Sequence, residues 1–489
     1  MHPNSLRFIL SLAAALATAG WARADAAGPA APAPQHPATY RDLQYPPIHD
    51  IKVPEPVRFE LANGLVVYLI EDHELPKVGM HALVRAGGRW EPAAKTGLAS
   101  ITGIVMRTGG SVSRGGDQLD DELDRLGARI ETSIDGDSGN VDATLLKEDL
   151  GLGIEIVADL LQHPAFPQNK IDLAKIRLRD GVARRNDQPN GIAFREFWRI
   201  IFGPDSPYAR QIEYATIDAI TRDDLVAFHQ RYFQPESVIL GVEGDFDPAA
   251  VRAKIEQCFG AWPRGGQPVP AVDPAAQDRA GFYSIVKTDM QQSWVLLGML
   301  GGRRDDPDYY ALSVMNEILG GGFSSRLFSN VRSGQGLAYA VFSAWNAEWD
   351  HPGLFFTGGS SKPATTVKIY QAMLAEVKRL AESGATDDEV ARAKDSILKG
   401  FAFEFDHTSK IIGRLMAYEY YGYPRDYLQQ YHTRITQVTR DDVARVARQY
   451  LTPGKFAVLF SGNGHYEAPL DSLGPVKPVD ITIPPPKQP

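Results

Sequence analysis

An internal repeat constrains this chain more than any other feature. Ile217 to Gly244 carries Thr221-Arg222-Asp223-Asp224, then Tyr232, Pro235 and the run Val238-Ile239-Leu240-Gly241-Val242. Ile435 to Gly462 carries Thr439-Arg440-Asp441-Asp442, then Tyr450, Pro453 and Phe456-Ala457-Val458-Leu459-Phe460. All of these match at one offset of 218 residues. A tetrapeptide can recur by chance, but a Tyr, a Pro and an apolar run in the same register do not easily follow it. Each copy reads as a helix capped by Thr, with Asp residues in its first turn to suit the helix dipole, followed by a buried strand. The chain is a duplicated unit, with its seam in the Pro/Gly/Ala-rich stretch from Pro263 to Ala280.

The first copy opens with strands. Val57 to Leu61 and Leu65 to Ile70 flank Asn63-Gly64, the strongest short hairpin signal, and Met80 to Arg85 continues the sheet. Helical patterns follow at Thr96 to Arg107, Gln118 to Leu126, Lys147 to Gln162 and Lys170 to Arg185. Strands and helices come in blocks rather than in strict alternation. That predicts an α+β fold of two tandem homologous domains, each a mainly antiparallel sheet packed with helices. No G-x-G-x-x-G or G-x-x-x-x-G-K-[ST] motif is present, which removes nucleotide binding as a leading idea.

Residues 1–24 have a short basic start, an apolar run from Phe8 to Ala19 and Ala22-Arg23-Ala24. This is the layout of a secretory signal with an A-x-A cleavage site, too short in its apolar part for a membrane span. Residues 25–54 read as a flexible Ala/Pro-rich leader and 469–489 as a Pro-rich tail. Between them the sequence predicts domains at 55–265 and 281–468, joined by a linker at 266–280. The net charge of −9 argues against a non-specific nucleic-acid binder. The single cysteine, Cys258, rules out an intramolecular disulfide and a Cys-built metal cage, and reads as a small core residue. An exported chain without disulfides fits the bacterial periplasm.

Hydrolytic motifs are mostly missing. There is no G-x-S-x-G, and Ser396-Ile397-Leu398-Lys399 reads as a solvated helix face rather than a nucleophile and its base. The eleven His are scattered, the closest pair being His73 and His81, whereas a helical zinc site needs two imidazoles one turn apart. His163 and His351 read as loop residues with surface or local hydrogen-bonding roles. Gly320 to Gly322 lacks the Lys and Ser/Thr of a phosphate loop and reads as a close backbone approach.

Two segments nevertheless carry a family resemblance. Arg85-Ala86-Gly87-Gly88-Arg89-Trp90-Glu91-Pro92, then Gly97-Leu98-Ala99, resembles the lead into the active-site helix of the pitrilysin/insulinase (inverzincin) metallopeptidases. There an H-x-x-E-H helix supplies two zinc-binding His and a water-activating Glu. Here those positions read Ser100, Gly103 and Ile104, and the third-ligand position falls on Gly181, or on Asp180 with a one-residue slip. The second segment, Gly320-Gly321-Gly322-Phe323-Ser324-Ser325-Arg326-Leu327-Phe328 followed by Val331 to Tyr339, resembles the motif of the family's non-zinc half. That half presents an Arg and a Tyr seven residues apart toward the zinc, a spacing matched by Arg332 and Tyr339.

The resemblance implies a half-clamshell without a cofactor of its own, with zinc in a partner chain. Arg332 and Tyr339 are then the candidate catalytic residues of an exported two-chain peptidase that encloses an unfolded peptide. The implied partners are a homologous zinc-bearing subunit and the peptide, with no nucleic acid and no membrane span after signal cleavage. The alternative is a non-catalytic structural or peptide-binding scaffold of the same family.

Overall fold

The computed structural model describes residues 55–272 and 279–486. The expected export signal and leader, residues 1–54, lie outside the described residues. The predicted hairpin forms: β1 (Val57–Glu60) pairs antiparallel with β2 (Val66–Glu71). Gly64 takes φ +92° at the turn, a conformation that costs glycine little. The Asn63 side-chain amide donates to the Phe259 and Trp262 carbonyls, tying the hairpin to the distant end of its own domain.

After β3 (Lys77–Val84) come α1 (Leu98–Gly109), α2 (Gly116–Leu126), β4 (Arg129–Ile134) and β5 (Gly139–Leu146). A helical block follows: α3 (Leu150–Gln162), α4 (Gln168–Arg184), α5 (Pro189–Phe202), α6 (Tyr214–Ala219) and α7 (Arg222–Tyr232). β6 (Val238–Gly244) and α8 (Pro248–Phe259) close the first half. The second half contains β7 (Gly281–Val286), β8 (Ser293–Leu300), α9 (Tyr309–Asn316), β9 (Ala340–Asn346) and β10 (Leu354–Ser361). It continues with α10 (Thr366–Ser383), α11 (Asp387–Ala402), α12 (Thr408–Tyr421), α13 (Tyr427–Gln437), α14 (Arg440–Tyr450), β11 (Ala457–Gly462) and β12 (Val476–Pro478).

The repeat is visible in three dimensions. The two six-stranded sheets run β1-β2-β6-β3-β5-β4 and β12-β7-β11-β8-β10-β9. Five strands correspond one to one, and the parallel pair β2/β6 of the first sheet has its counterpart in β7/β11 of the second, where β12 adds a further parallel pairing with β7. Thr221 and Thr439 each close a reciprocal capping box, with Asp224 and Asp442 as partners. Only the outermost strand differs: β1 precedes β2 in the first half, whereas β12 follows β11 in the second. Residues 469–486, read from sequence as a Pro-rich tail, dock on the sheet. Val476–Pro478 run parallel to β7, Val479 N–H donates to the Ser284 carbonyl at 2.8 Å, and Asn186 reaches the Ile481 carbonyl at 2.7 Å. Proline suits an edge strand, where its missing N–H breaks no ladder.

Each sheet has one face on its own helices and one face covered by a helix from the other half. α5 lies on the second sheet, where Ile192, Phe197, Ile200 and Ile201 join Ile285, Leu296, Phe356 and Leu459 in one apolar cluster. α12, its counterpart in the repeat, lies on the first sheet, where Ile411, Ile412 and Met416 meet Tyr68, Ile70 and Ile239. Gly241 on β6 permits that approach, since a Cβ there would come within 2.5 Å of Met416 Sδ. Glu419 anchors the end of α12, accepting from Arg58 at 2.8 Å and from the Tyr68 hydroxyl at 2.6 Å. The two halves are thus stitched by a reciprocal exchange of helices.

Candidate functional site

The segment before α1 is a built helix start. Gly97 takes φ +106° at the N-cap. Buried Glu91 accepts the Gly97 and Ala99 N–H groups, both at 2.9 Å. Its carboxylate satisfies donors that the first helical turn leaves free and meets the positive end of the helix dipole. Burial pushes the Glu91 carboxyl above the usual carboxylate range, against the downward pull of those two N–H bonds.

Along α1, Ser100 is partly exposed and Ile104 is partly buried against the first core. Gly103 is buried against β4. A Cβ there would sit 2.4 Å from Ile134 N and 2.8 Å from the Ser133 carbonyl carbon. The Thr132 hydroxyl donates to the Gly103 carbonyl at 2.5 Å, fixing the helix at that distance. No side chain fits at this position, least of all a Glu. On α4, Gly181 faces open space and Asp180 is held by Arg184 at 3.0 Å on an exposed face. Zinc takes imidazole, thiolate or carboxylate donors. Ser100, Gly103, Ile104 and Gly181 offer none, so the residues at these positions do not fit the metal. Among the described residues, no group of three His, Cys, Asp or Glu side chains is placed to hold a metal ion.

The Arg332/Tyr339 segment is built differently. Two wide π-helical turns, Glu317–Gly321 and Leu327–Gly334, carry it. Such turns are rare and gather at functional sites. Gly320 makes the close approach expected of it, since a Cβ would meet Ser343 N at 2.2 Å. Arg326 anchors the second turn to α11 with a two-pronged bond to Glu389, at 2.7 and 2.8 Å, and a third bond to the Gly384 carbonyl. Gly336, at φ +64°, then reverses the chain.

Arg332 is exposed, with its guanidinium 4.7 Å from the Phe328 ring centre. Tyr339 is 51% exposed. Its backbone N–H donates to the Ser360 carbonyl, while its hydroxyl makes no hydrogen bond among the described residues. Both side chains therefore stand outside the core on a rigidly held loop. They make no hydrogen bond or ring contact with each other among the described residues.

Between the halves lies a cavity of about 510 Å³ that sequence reasoning missed. Ser100, Glu91 and Asp137 line it from the first half, and Glu348, His351 and Leu354 from the second. Arg89, with only 5% of its side chain exposed, bridges Asp350 at 2.9 Å and Asp137 at 3.4 Å across the seam. His351, read from sequence as a loop residue, is buried: its ring stacks on Tyr208 at 4.0 Å while Nδ1 pairs with Asp350 at 2.8 Å. Burial pushes Asp137 and Glu348 above the usual carboxylate range. Burial also pushes Asp350 upward, but the His351 hydrogen bond and the Arg89 charge outweigh it and hold that carboxyl low. No local sequence signal marks this clasp, although Arg89 sits in the first motif, its guanidinium 4.2 Å from the Trp90 ring centre.

Comparison with known proteins agrees with this architecture. The family described as insulinase (peptidase family M16) matches residues 66–203, and the peptidase M16 inactive domain matches 219–397, together well over half of the chain. An uncharacterized zinc protease of Streptomyces coelicolor is 28% identical over 342 residues, covering 66% of this chain and 74% of that protein. A second, from Mycobacterium leprae, is 28% identical over 408 residues, covering 81% of this chain and 89% of that protein. Among solved structures, a peptidase M16 inactive domain from Pseudomonas fluorescens superposes with a TM-score of 0.76 at 24% identity, over 85% of this chain and all of that one. A protease from Helicobacter pylori gives 0.73 at 20% identity, over 83% of this chain and 99% of that one. With two duplicated α+β halves in this order and both family descriptions matched in sequence, this chain belongs to the insulinase (M16) peptidase family.

Proposed function

We propose that this chain is the non-zinc subunit of an exported two-chain metallopeptidase, closing a peptide-degrading chamber against a homologous zinc-bearing subunit. The observation that carries the reading is a contrast between the halves. The first half has Gly103 jammed against β4 where the family's base would stand, while the second holds Arg332 and Tyr339 outward on an anchored loop. The match to the family's inactive domain supports the same reading.

Metal chemistry belongs to the partner in this scheme. Peptide hydrolysis builds negative charge on the scissile carbonyl oxygen. Arg332 brings a guanidinium with several N–H donors, and Tyr339 a phenolic O–H. Donors fixed in advance at that oxygen stabilise the transition state, and removing one costs about 10²–10³ in rate. The stacking of Arg332 on Phe328 restricts the guanidinium before substrate arrives.

The test has two parts. Purified alone, the chain should bind no stoichiometric zinc and cleave no peptide. One tightly bound zinc per chain, or chelator-sensitive peptidase activity from the lone chain, would end the reading. In the reconstituted pair, isolated by co-purification from periplasmic extract, Arg332→Ala or Tyr339→Phe should lower turnover by about 10²–10³ with little change in KM. Full activity in both variants would assign the loop a structural role and favour the scaffold reading.

A further inference from the structure

In the second half, a cavity of about 390 Å³ opens among α9, α11, α12 and α13. Arg304, Tyr309, Phe401, Arg414, Tyr418 and Tyr431 line it. Nothing in the proposed peptidase role uses these residues.

The charges in this cavity do not cancel. Arg414 is paired with Glu404. Arg304 has no carboxylate within 4.0 Å among the described residues; Glu348 feels its charge without pairing with it. The Arg304 guanidinium instead lies 4.2 Å from the Trp349 ring centre, and Nη1 reaches the Tyr309 hydroxyl at 3.4 Å. Its Nε is buried with no hydrogen-bond partner. Arg304 as a whole is partly buried, and this buried, unpaired donor bears the cost of leaving water. Two guanidiniums facing one carboxylate leave a place for one more negative charge.

The walls indicate what carries that charge. Phe401 and Tyr431 stack at 5.1 Å and 18°, and Tyr418 and Tyr427 meet at 5.2 Å. Burial pushes the Tyr418 hydroxyl up to about 12, and that of Tyr431 higher still, so both remain neutral donors at neutral pH. Neutral donors and free guanidinium N–H groups suit an anion, and flat aromatic walls suit a ring. The volume lies in the range of small-molecule sites.

We propose that this cavity binds an aromatic carboxylate, with Arg304 holding the carboxylate and the tyrosine-rich wall holding the ring. The ligand's source is either a free aromatic acid or the carboxy-terminal aromatic residue of a peptide, and the experiment separates them. Calorimetric titration of the full chain would use 4-hydroxyphenylacetate, a tetrapeptide ending in free phenylalanine, the same peptide amidated, and acetate. Saturable binding of one or both aromatic acids is expected, with the amide and acetate at least ~10-fold weaker, and whichever acid binds names the source.

Arg304→Gln should weaken binding at least ~10-fold. Gly400→Leu is the second variant, because Gly400 lines the cavity and a Cβ there meets nothing within 4 Å. It should fold normally and block the site even if Arg304→Gln does not fold. The proposal is overturned if neither acid binds at millimolar concentration, if the amide or acetate binds as tightly as the acids, or if folded Gly400→Leu binds unchanged.

Discussion

Two helical glycines, Gly103 on α1 and Gly181 on α4, should respond to the same substitution with opposite signs. A Cβ on Gly103 would lie 2.4 Å from one backbone atom of β4 and 2.8 Å from another, against an ordinary contact of about 3.5 Å. α1 must retreat by about 1 Å, yet its neighbouring residues Leu98, Ile101, Val105 and Met106 are already buried. Overpacking a filled core costs about 1–3 kcal/mol, and clashing with backbone places this case at the upper end. The helix-propensity gain of Ala over Gly returns about 1 kcal/mol, so Gly103→Ala should destabilise by about 2 kcal/mol.

Gly181 lies on an exposed face of α4, where a Cβ meets nothing within 4 Å. Gly181→Ala should therefore stabilise by up to about 1 kcal/mol, through propensity and a less flexible unfolded chain. Urea unfolding, followed by circular dichroism and tryptophan fluorescence, would measure both midpoints against the parent. Midpoints that move in the same direction would refute the claim that α1 is closed on β4. So would a Gly103→Glu variant with parental stability.

Three further outcomes follow from the structure. Phe197, fully buried between α5 and the second sheet, should cost about 3–5 kcal/mol when changed to Ala, and a loss under 1 kcal/mol would show that the exchanged helix matters little. His229 is buried against the Leu161 carbonyl, and burial lowers its imidazole to about 4, below its unfolded 6.5. The stability it contributes is whole above pH 6.5 and is lost as pH falls toward 4, roughly 2–3 kcal/mol, so His229→Gln should flatten the unfolding profile in that window. Glu389 is lowered to about 2 by its two-pronged bond with Arg326, from an ordinary 4.5. Its contribution, roughly 1–2 kcal/mol after solvent screening, is present above pH 4.5 and vanishes toward pH 2. The stability gap between the parent and Glu389→Gln should close over that range, and a gap independent of pH would contradict the ion pair.

Much of this was legible in the chain itself, where local chemistry and tertiary structure agreed. Asn63-Gly64, Thr221 and Thr439 each name a local geometry, and the fold keeps all three. The 218-residue offset announced a doubled architecture because matching side chains serve matching packing. The exchange of α5 and α12 was not readable, since an apolar helix face does not say which sheet it covers. The clasp of Arg89, Asp137 and Asp350 was hidden for a related reason: its members are 48 and 213 residues apart in sequence, and only the seam brings them together. His351 was readable as a loop residue with a local hydrogen bond, here to Asp350, but its burial was not, because Tyr208, which shields it, comes from the other half. The second motif was easier to read than the first. Its glycine run and the Arg/Tyr spacing stand together in one short stretch, although the contacts that fix them, Arg326 to Glu389 and Gly320 to Ser343, are about as distant in sequence as those of Gly103.

The crossed helices also bear on origin. A free first half would leave bare the patch of its sheet that α12 shields, and a free second half would lack α5, so neither makes a self-sufficient fragment. Such lending of an identical segment is how two copies of one small protein become a pair. The present polypeptide has the anatomy of such a pair joined end to end, each half covering the other's sheet with its own copy of the same helix.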